Sequence, residues 1–196
     1  MARWEPDAQG RLRQAALDLF AEQGFDRTSV ADIATRAGVT ERTFFRYFAD
    51  KREVLFDGSD ALEQVVVETI DRAPPGQAPL AVVGAAMAAT ATFLDEDRRD
   101  YARRRAAAIA VHPALQEREL LKLATLGAAV TDALRRRGTP DPVARLTAET
   151  GVLAFRLGFE RWIANPPAGD IARCIGEALA DLRALIGVGT IAADSG

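Results

Sequence analysis

Between Thr28 and Lys51 the chain reads TSVADIATRAGVTERTFFRYFADK, and this stretch holds the side chains best suited to recognising another molecule. Thr40, Glu41, Arg42 and Thr43 stand together in one short run. An Arg guanidinium can pair bidentately with guanine, and a Thr can hydrogen-bond a base edge or touch a thymine methyl. Glu41 could accept from a cytosine amino group or could instead orient Arg42. Arg46, Tyr47 and Lys51 come next, at positions suited to phosphate oxygens, contacts that set register rather than read sequence. Thr28, Ser29 and Phe45 complete the candidate nucleic-acid contacts.

Catalytic chemistry finds little footing elsewhere. His112 and Cys174 are the single histidine and cysteine among 196 residues. The sequence has no Cys/His pair with a partner, no Gly-rich phosphate loop after a strand and no metal-ligand spacing. No catalytic residue, metal or cofactor is therefore expected, and an enzyme working with carboxylates alone is the least supported function. One cysteine cannot make an internal disulfide, and the start shows no signal-peptide pattern, so a reducing cytoplasm is the expected location.

The elements that must hold these residues read as helices throughout, so the fold expected is all-α with about nine helices. Leu12, Ala15, Ala16, Leu19 and Phe20 make one apolar stripe ended by Gly24. Ser29 and Asp32 have the spacing of a capping box that opens the next helix. Gly38 ends it in a turn that favours a left-handed glycine. Thr40 is the expected N-cap of a third helix, with Phe44 and Phe48 stacked one turn apart. Asp50 then caps a long helix running past Ile70 to the Pro74-Pro75-Gly76 break. Further helices are expected near 79–95, 97–111, 113–137, 142–164 and 170–186. The second and third helices with their glycine turn have the layout of a helix-turn-helix, whose second helix can enter the major groove. The same layout also serves an ordinary helical bundle with a solvated Arg/Glu face.

Net charge −3 and a pI near 5.3 argue against nonspecific coating of nucleic acid. Residues 1–56 are balanced in charge, so contacts to DNA must rest on a few placed side chains. Ala73–Leu94 carries no charge, but only 15 of its residues follow Pro79. A span needs ~20 apolar residues, so no membrane association is expected.

From Arg11 to Leu55 the sequence resembles the DNA-binding head of the TetR (tetracycline-repressor-like) family. The resemblance lies in A-x-x-x-L-F-A-E-Q-G-F at Ala15–Phe25, T-S-V-x-D-I-A at Thr28–Ala34, A-G-V-T at Ala37–Thr40 and T-F-F-R-Y-F-x-D-K at Thr43–Lys51. It implies a homodimer of all-helical subunits, each with a three-helix DNA-binding head (1–53) and a larger effector-binding and dimerisation body (54–196). Many members carry Tyr where this chain has Phe45, so a phosphate-contacting hydroxyl is missing here. Glu41-Arg42 also departs from the more usual Lys-Gly pair, which implies a different base preference.

In the body, the uncharged helix 79–95 offers Met87, Thr90 and Phe93 to an apolar ligand wall, joined by Tyr101, Phe155, Phe159 and Trp162. Arg104, Arg105 and His112 are the expected polar anchors. Leu153 and Leu157, with Ile175, Leu179, Leu182 and Ile186 at helical spacing, are the expected dimer stripe. Arg103–Arg105, Val111–Glu119 and Phe159–Trp162 are similar to regulators of the mycofactocin type, which implies a fatty-acyl or acyl-CoA-like effector. Together these expectations describe a repressor released from a palindromic operator by an apolar small molecule. The alternative is a constitutive or activating DNA-binding protein whose body only dimerises.

Overall fold

The computed structural model describes residues 7–164 and 169–189, with no side-chain account beyond Leu185. Nine α-helices run through the described residues, and no strand occurs among them. They are α1 (Ala8–Gln23), α2 (Val30–Arg36), α3 (Glu41–Tyr47), α4 (Ser59–Arg72), α5 (Pro79–Ala88), α6 (Arg99–Ala110), α7 (Pro113–Arg136), α8 (Asp141–Ala164) and α9 (Ile171–Gly189). Short 3-10 turns at Glu53–Phe56, Ala89–Thr92 and Glu96–Arg98 join some of them.

Two compact units make up the chain. The first takes in the residues up to Gly58 together with Arg104–Leu121; the second takes in Ser59–Arg103 and the residues from Lys122 onward. The first unit thus extends past the boundary expected after residue 53, because the end of α6 and the start of α7 pack with α1 and the Glu53–Phe56 turn. Arg104 pairs with Asp18 at 2.6 Å, and Arg118 pairs with Glu53. Arg105 donates to the Leu55 carbonyl at 2.5 Å, and its guanidinium lies 4.9 Å from the Phe56 ring centre.

The local signals in the head act as anticipated. Ser29 and Asp32 form a reciprocal capping box at the start of α2. Gly38 sits at φ 69° and lets the chain turn back so that the Val39 amide reaches the Ala34 carbonyl at 2.9 Å. Leu12, Ala16, Ile33 and Phe44 are fully or almost fully buried and form the middle of this unit's core.

The single long helix expected from Asp50 is interrupted. Gly58 lies at φ 87°, a left-handed conformation that ends the 3-10 turn and forces a new start at Ser59. The N-cap position of the 3-10 turn falls on Arg52 and not on Asp50, whose carboxylate accepts from the Arg52 amide at 2.7 Å and the Glu53 amide at 3.3 Å.

In the second unit α5, α8 and α9 pack with few side-chain atoms between their axes. A Cβ at Gly158 would fall 2.6 Å from Ile175 Cγ1 and 2.8 Å from the Ile175 backbone, and one at Gly151 would fall 2.2 Å from Val83 Cγ1. Glycine at these two places permits the close crossing. Val66, Val83, Met87, Leu134, Ala148, Trp162 and Ile175 are buried around it.

Candidate nucleic-acid interface

The turn from α2 into α3 sets one helix face against the core and the other outward. Thr40 caps α3 by accepting from the Thr43 amide at 3.2 Å, and the two hydroxyls lie 3.0 Å apart. Phe44 and Phe48 point inward, 0% and 4% exposed, with ring centres 5.4 Å apart. That anchoring leaves Glu41, Arg42, Phe45, Arg46 and Tyr47 exposed. Among the described residues no hydrogen bond or ion pair engages the side chain of Glu41 or Arg42, so the carboxylate does not hold the guanidinium in place. Arg46 donates to the Tyr47 hydroxyl at 2.9 Å, and its guanidinium lies 4.8 Å from that ring centre.

Three further expected contact residues, Thr28, Ser29 and Lys51, are engaged outside α3. Thr28 is 1% exposed, and its hydroxyl donates to the Gly24 carbonyl at 2.8 Å. Its side chain supports the α1–α2 loop and is not presented to a duplex. Ser29 is exposed, but its hydroxyl works in the cap, where Asp32 accepts from it at 2.6 Å. These bonds from the Ser29 hydroxyl and amide hold the Asp32 carboxyl below its ordinary pKa. The Lys51 ammonium, expected at a phosphate, donates instead to the carbonyls of Phe25 at 2.8 Å and Thr28 at 3.0 Å, and lies 4.2 Å from the Phe25 ring centre. It ties the α1–α2 loop to the segment after α3. Arg11 makes a related brace, donating to the Ala37 carbonyl at the end of α2 at 3.1 Å.

The residues expected at an effector site are divided between the two units. Arg104, Arg105 and His112 belong to the first, where the two arginines are held by Asp18 and by the Leu55 carbonyl. Nε2 of His112 accepts from the Phe25 amide at 3.4 Å. In the second unit Met87, Thr90 and Trp162 are 0% exposed, which makes them core rather than open wall. The Thr90 hydroxyl is satisfied by the Met87 carbonyl at 2.6 Å. The Trp162 ring faces the Arg99 guanidinium at 5.3 Å. Phe93, Tyr101, Phe155 and Phe159 are half-buried, and Phe155, Phe159 and Trp162 form a ladder with ring centres 6.4 and 6.0 Å apart. A cavity of about 250 Å³ lies elsewhere in this unit, lined by Pro75, Gln77, Pro79, Val82, Leu134 and Arg137 among others. None of the expected ligand residues lines it.

The proposed dimer stripe also divides. Ile175 and Leu179, 0% and 5% exposed, are taken up by the subunit's own core, because α9 packs along α8 with its apolar face inward. Leu157 and Leu182 are half-buried and Leu153 is exposed; the side chain of Ile186 lies outside the described residues. Val143 and Leu146 on α8 and Leu185 on α9 are exposed large apolar side chains that the stripe did not include.

Residues 12–57 match the tetR family of bacterial regulatory proteins, and residues 77–187 match the MftR C-terminal domain. The chain belongs to the TetR family. A mycofactocin biosynthesis transcriptional regulator named MftR, from Mycobacterium tuberculosis, is 31% identical over 158 residues, 78% of each chain. TcmR of Streptomyces glaucescens, an HTH-type transcriptional regulator, is 37% identical over 79 residues, 40% of this chain. That match takes in only 35% of TcmR's own length. A transcriptional regulator from Pseudomonas aeruginosa PAO1 shares the fold with a TM-score of 0.62 at 20% identity, covering 94% of this chain and 93% of the other.

In this TetR-family chain the exposed α8 face had a signal of its own. Val143, Leu146, Thr150, Leu153 and Leu157 fall at i, i+3, i+7, i+10 and i+14, a second apolar stripe beside the one that faces the core. α8 is apolar on several sides, and spacing alone does not say which side its own subunit covers.

Proposed function

We propose that this chain is a homodimeric, ligand-responsive repressor that holds a palindromic operator through α3. Residues up to 53 carry the DNA contacts, and residues from 54 onward carry dimerisation and effector binding. The carrying observation is the two-faced third helix. Phe44 and Phe48 lock its inner side, while Arg42 stands outward with no partner among the described residues. Thr40, Glu41, Arg42, Thr43, Phe45, Arg46 and Tyr47 make the contacts to double-stranded DNA, with Ser29 at the start of α2 beside them. Two copies related by a twofold axis require two half-sites spaced by helical turns. For the dimer contact we select the α8 stripe Val143, Leu146, Leu153 and Leu157, together with Leu182 and Leu185 of α9. Exposed apolar side chains aligned along one helix suit a self-complementary surface.

The effector is an apolar or acyl-type small molecule meeting the half-buried surface of Phe93, Tyr101, Phe155 and Phe159. It acts by binding one conformation of the body more tightly than the other, since equal affinity would shift nothing. One observation favours a second reading, a regulator whose body only dimerises: Met87, Thr90 and Trp162 are packed with no exposure.

The decisive experiment measures binding to duplex DNA from upstream of the gene across a salt series. Affinity should fall steeply with salt, by about 0.9 in logarithmic slope per phosphate contact. Arg42→Ala should cost about tenfold or more in discrimination between that duplex and a random one. Salt-insensitive binding, or unchanged discrimination in Arg42→Ala, refutes the interface. Leu146→Glu combined with Leu153→Glu should turn a dimer into a monomer by light scattering; a persistent dimer refutes the α8 face. A rise in melting temperature with lauric acid separates the ligand-responsive reading from the dimer-only one.

A further inference from the structure

We propose that Phe45 reads the C5 methyl group of a thymine in each operator half-site, which makes it a specificity-determining residue. This role rests on the DNA-binding function proposed for α3 and goes beyond it by naming the base. Phe45 is 55% exposed on the outer face of α3, a large apolar surface on a helix whose other exposed positions are mainly polar. The buried Phe44 ring supports it from behind, with centres 5.4 Å apart and planes at 82°. The ring is braced on the protein side and open in front.

The chemistry of the side chain narrows the partner. Phenylalanine has neither donor nor acceptor, so it cannot hold a phosphate oxygen or tell an amino group from a carbonyl. On the major-groove edges of the base pairs the apolar group available to it is the thymine methyl. Arg46, the next residue, has its guanidinium drawn over Tyr47 and bonded to the Tyr47 hydroxyl at 2.9 Å. Arg42 lies three residues before Phe45 on the same face. Side chains at that spacing start about 5–6 Å apart, which is less than two base-pair steps at ~3.4 Å each. A guanine read by Arg42 and a thymine read by Phe45 are therefore expected within one or two base pairs of each other.

The test uses the full-length protein and a duplex that the wild type selects from a random-sequence library. Each thymine is replaced in turn by deoxyuridine, which removes only the methyl. Burying one methyl(ene) is worth about fourfold in affinity. The wild type should lose about that much at one thymine per half-site, and about 16-fold when both half-sites are changed. Phe45→Ala should bind the thymine duplex correspondingly more weakly and be indifferent to the methyl, while Phe45→Leu should keep part of the sensitivity. A wild type indifferent to deoxyuridine at every position overturns the proposal, and that measurement needs no variant to fold. A Phe45→Ala protein that still distinguishes thymine from deoxyuridine by the same factor also overturns it. Failure to select any duplex above nonspecific binding defeats the DNA-binding reading itself, and this inference with it.

Discussion

Gly158→Ala and Gly176→Ala make the same chemical change in two helices that pack together, and they should move stability in opposite directions. At Gly158 the new Cβ would sit 2.6 Å from Ile175 Cγ1 and 2.8 Å from both Cα and N of Ile175. The side-chain methylene could rotate away, but the two backbone atoms move only if α9 shifts bodily away from α8. Overpacking of this kind costs about 1–3 kcal/mol, and contact with backbone places this site toward the upper end. Against it stands the ~1 kcal/mol by which alanine is favoured over glycine inside a helix. The expected net loss is about 2 kcal/mol. At Gly176 nothing lies within 4 Å of the new Cβ, so the propensity term stands alone and the variant should gain about 1 kcal/mol. Urea unfolding followed by circular dichroism, at one fixed protein concentration, reads both differences. A Gly158→Ala protein as stable as the wild type would refute the close α8–α9 crossing.

Other consequences concern the head. Lys51→Met should weaken operator binding by loosening the α1–α2 loop, yet leave the salt slope of binding unchanged; a slope shallower by about 0.9 would show that the ammonium touches a phosphate after all. Ser29→Ala should cost about 1 kcal/mol through loss of the α2 cap, and NMR titration should find the Asp32 carboxyl moved up toward its ordinary pKa, with the residue-29 amide still holding it partly down. The hydrogen bond from the Arg52 guanidinium, joined by backbone amides, holds the Asp50 carboxyl below its ordinary range. Its contribution is therefore present above the unfolded value, ~3.9, and is lost as pH falls through the lower folded value. Asp50→Asn should lower stability at neutral pH and lose less on going from pH ~5 to pH ~3, as followed by urea midpoints; an unchanged acid dependence would count against the Asp50–Arg52 bond.

Much of the head was legible in the residue order because its signals act over a few positions. Ser29 and Asp32 are three residues apart, Gly38 carries its own backbone preference, and Phe44 and Phe48 are one turn apart. Each of these works with partners supplied by the adjacent chain, so pattern and structure agree at α2, the turn and α3. The interruption at Gly58 was equally local, but a continuous apolar periodicity on both sides obscured it.

What the tertiary structure alone decided is which partners the long side chains take and which apolar face is covered. Lys51 reaches carbonyls 23 and 26 residues away, and Arg104 reaches a carboxylate 86 residues away. A flexible cation carries no mark in the sequence that distinguishes these partners from a phosphate or a ligand. Ile175 and Leu179 have the same spacing as a dimer stripe, while Leu146 and Leu153 on α8 stand outside. That outcome depends on which side α5 and α9 pack against. Periodicity determines that a helix has an apolar face, whereas burial is a property of what lies opposite, and only the packed chain supplies that.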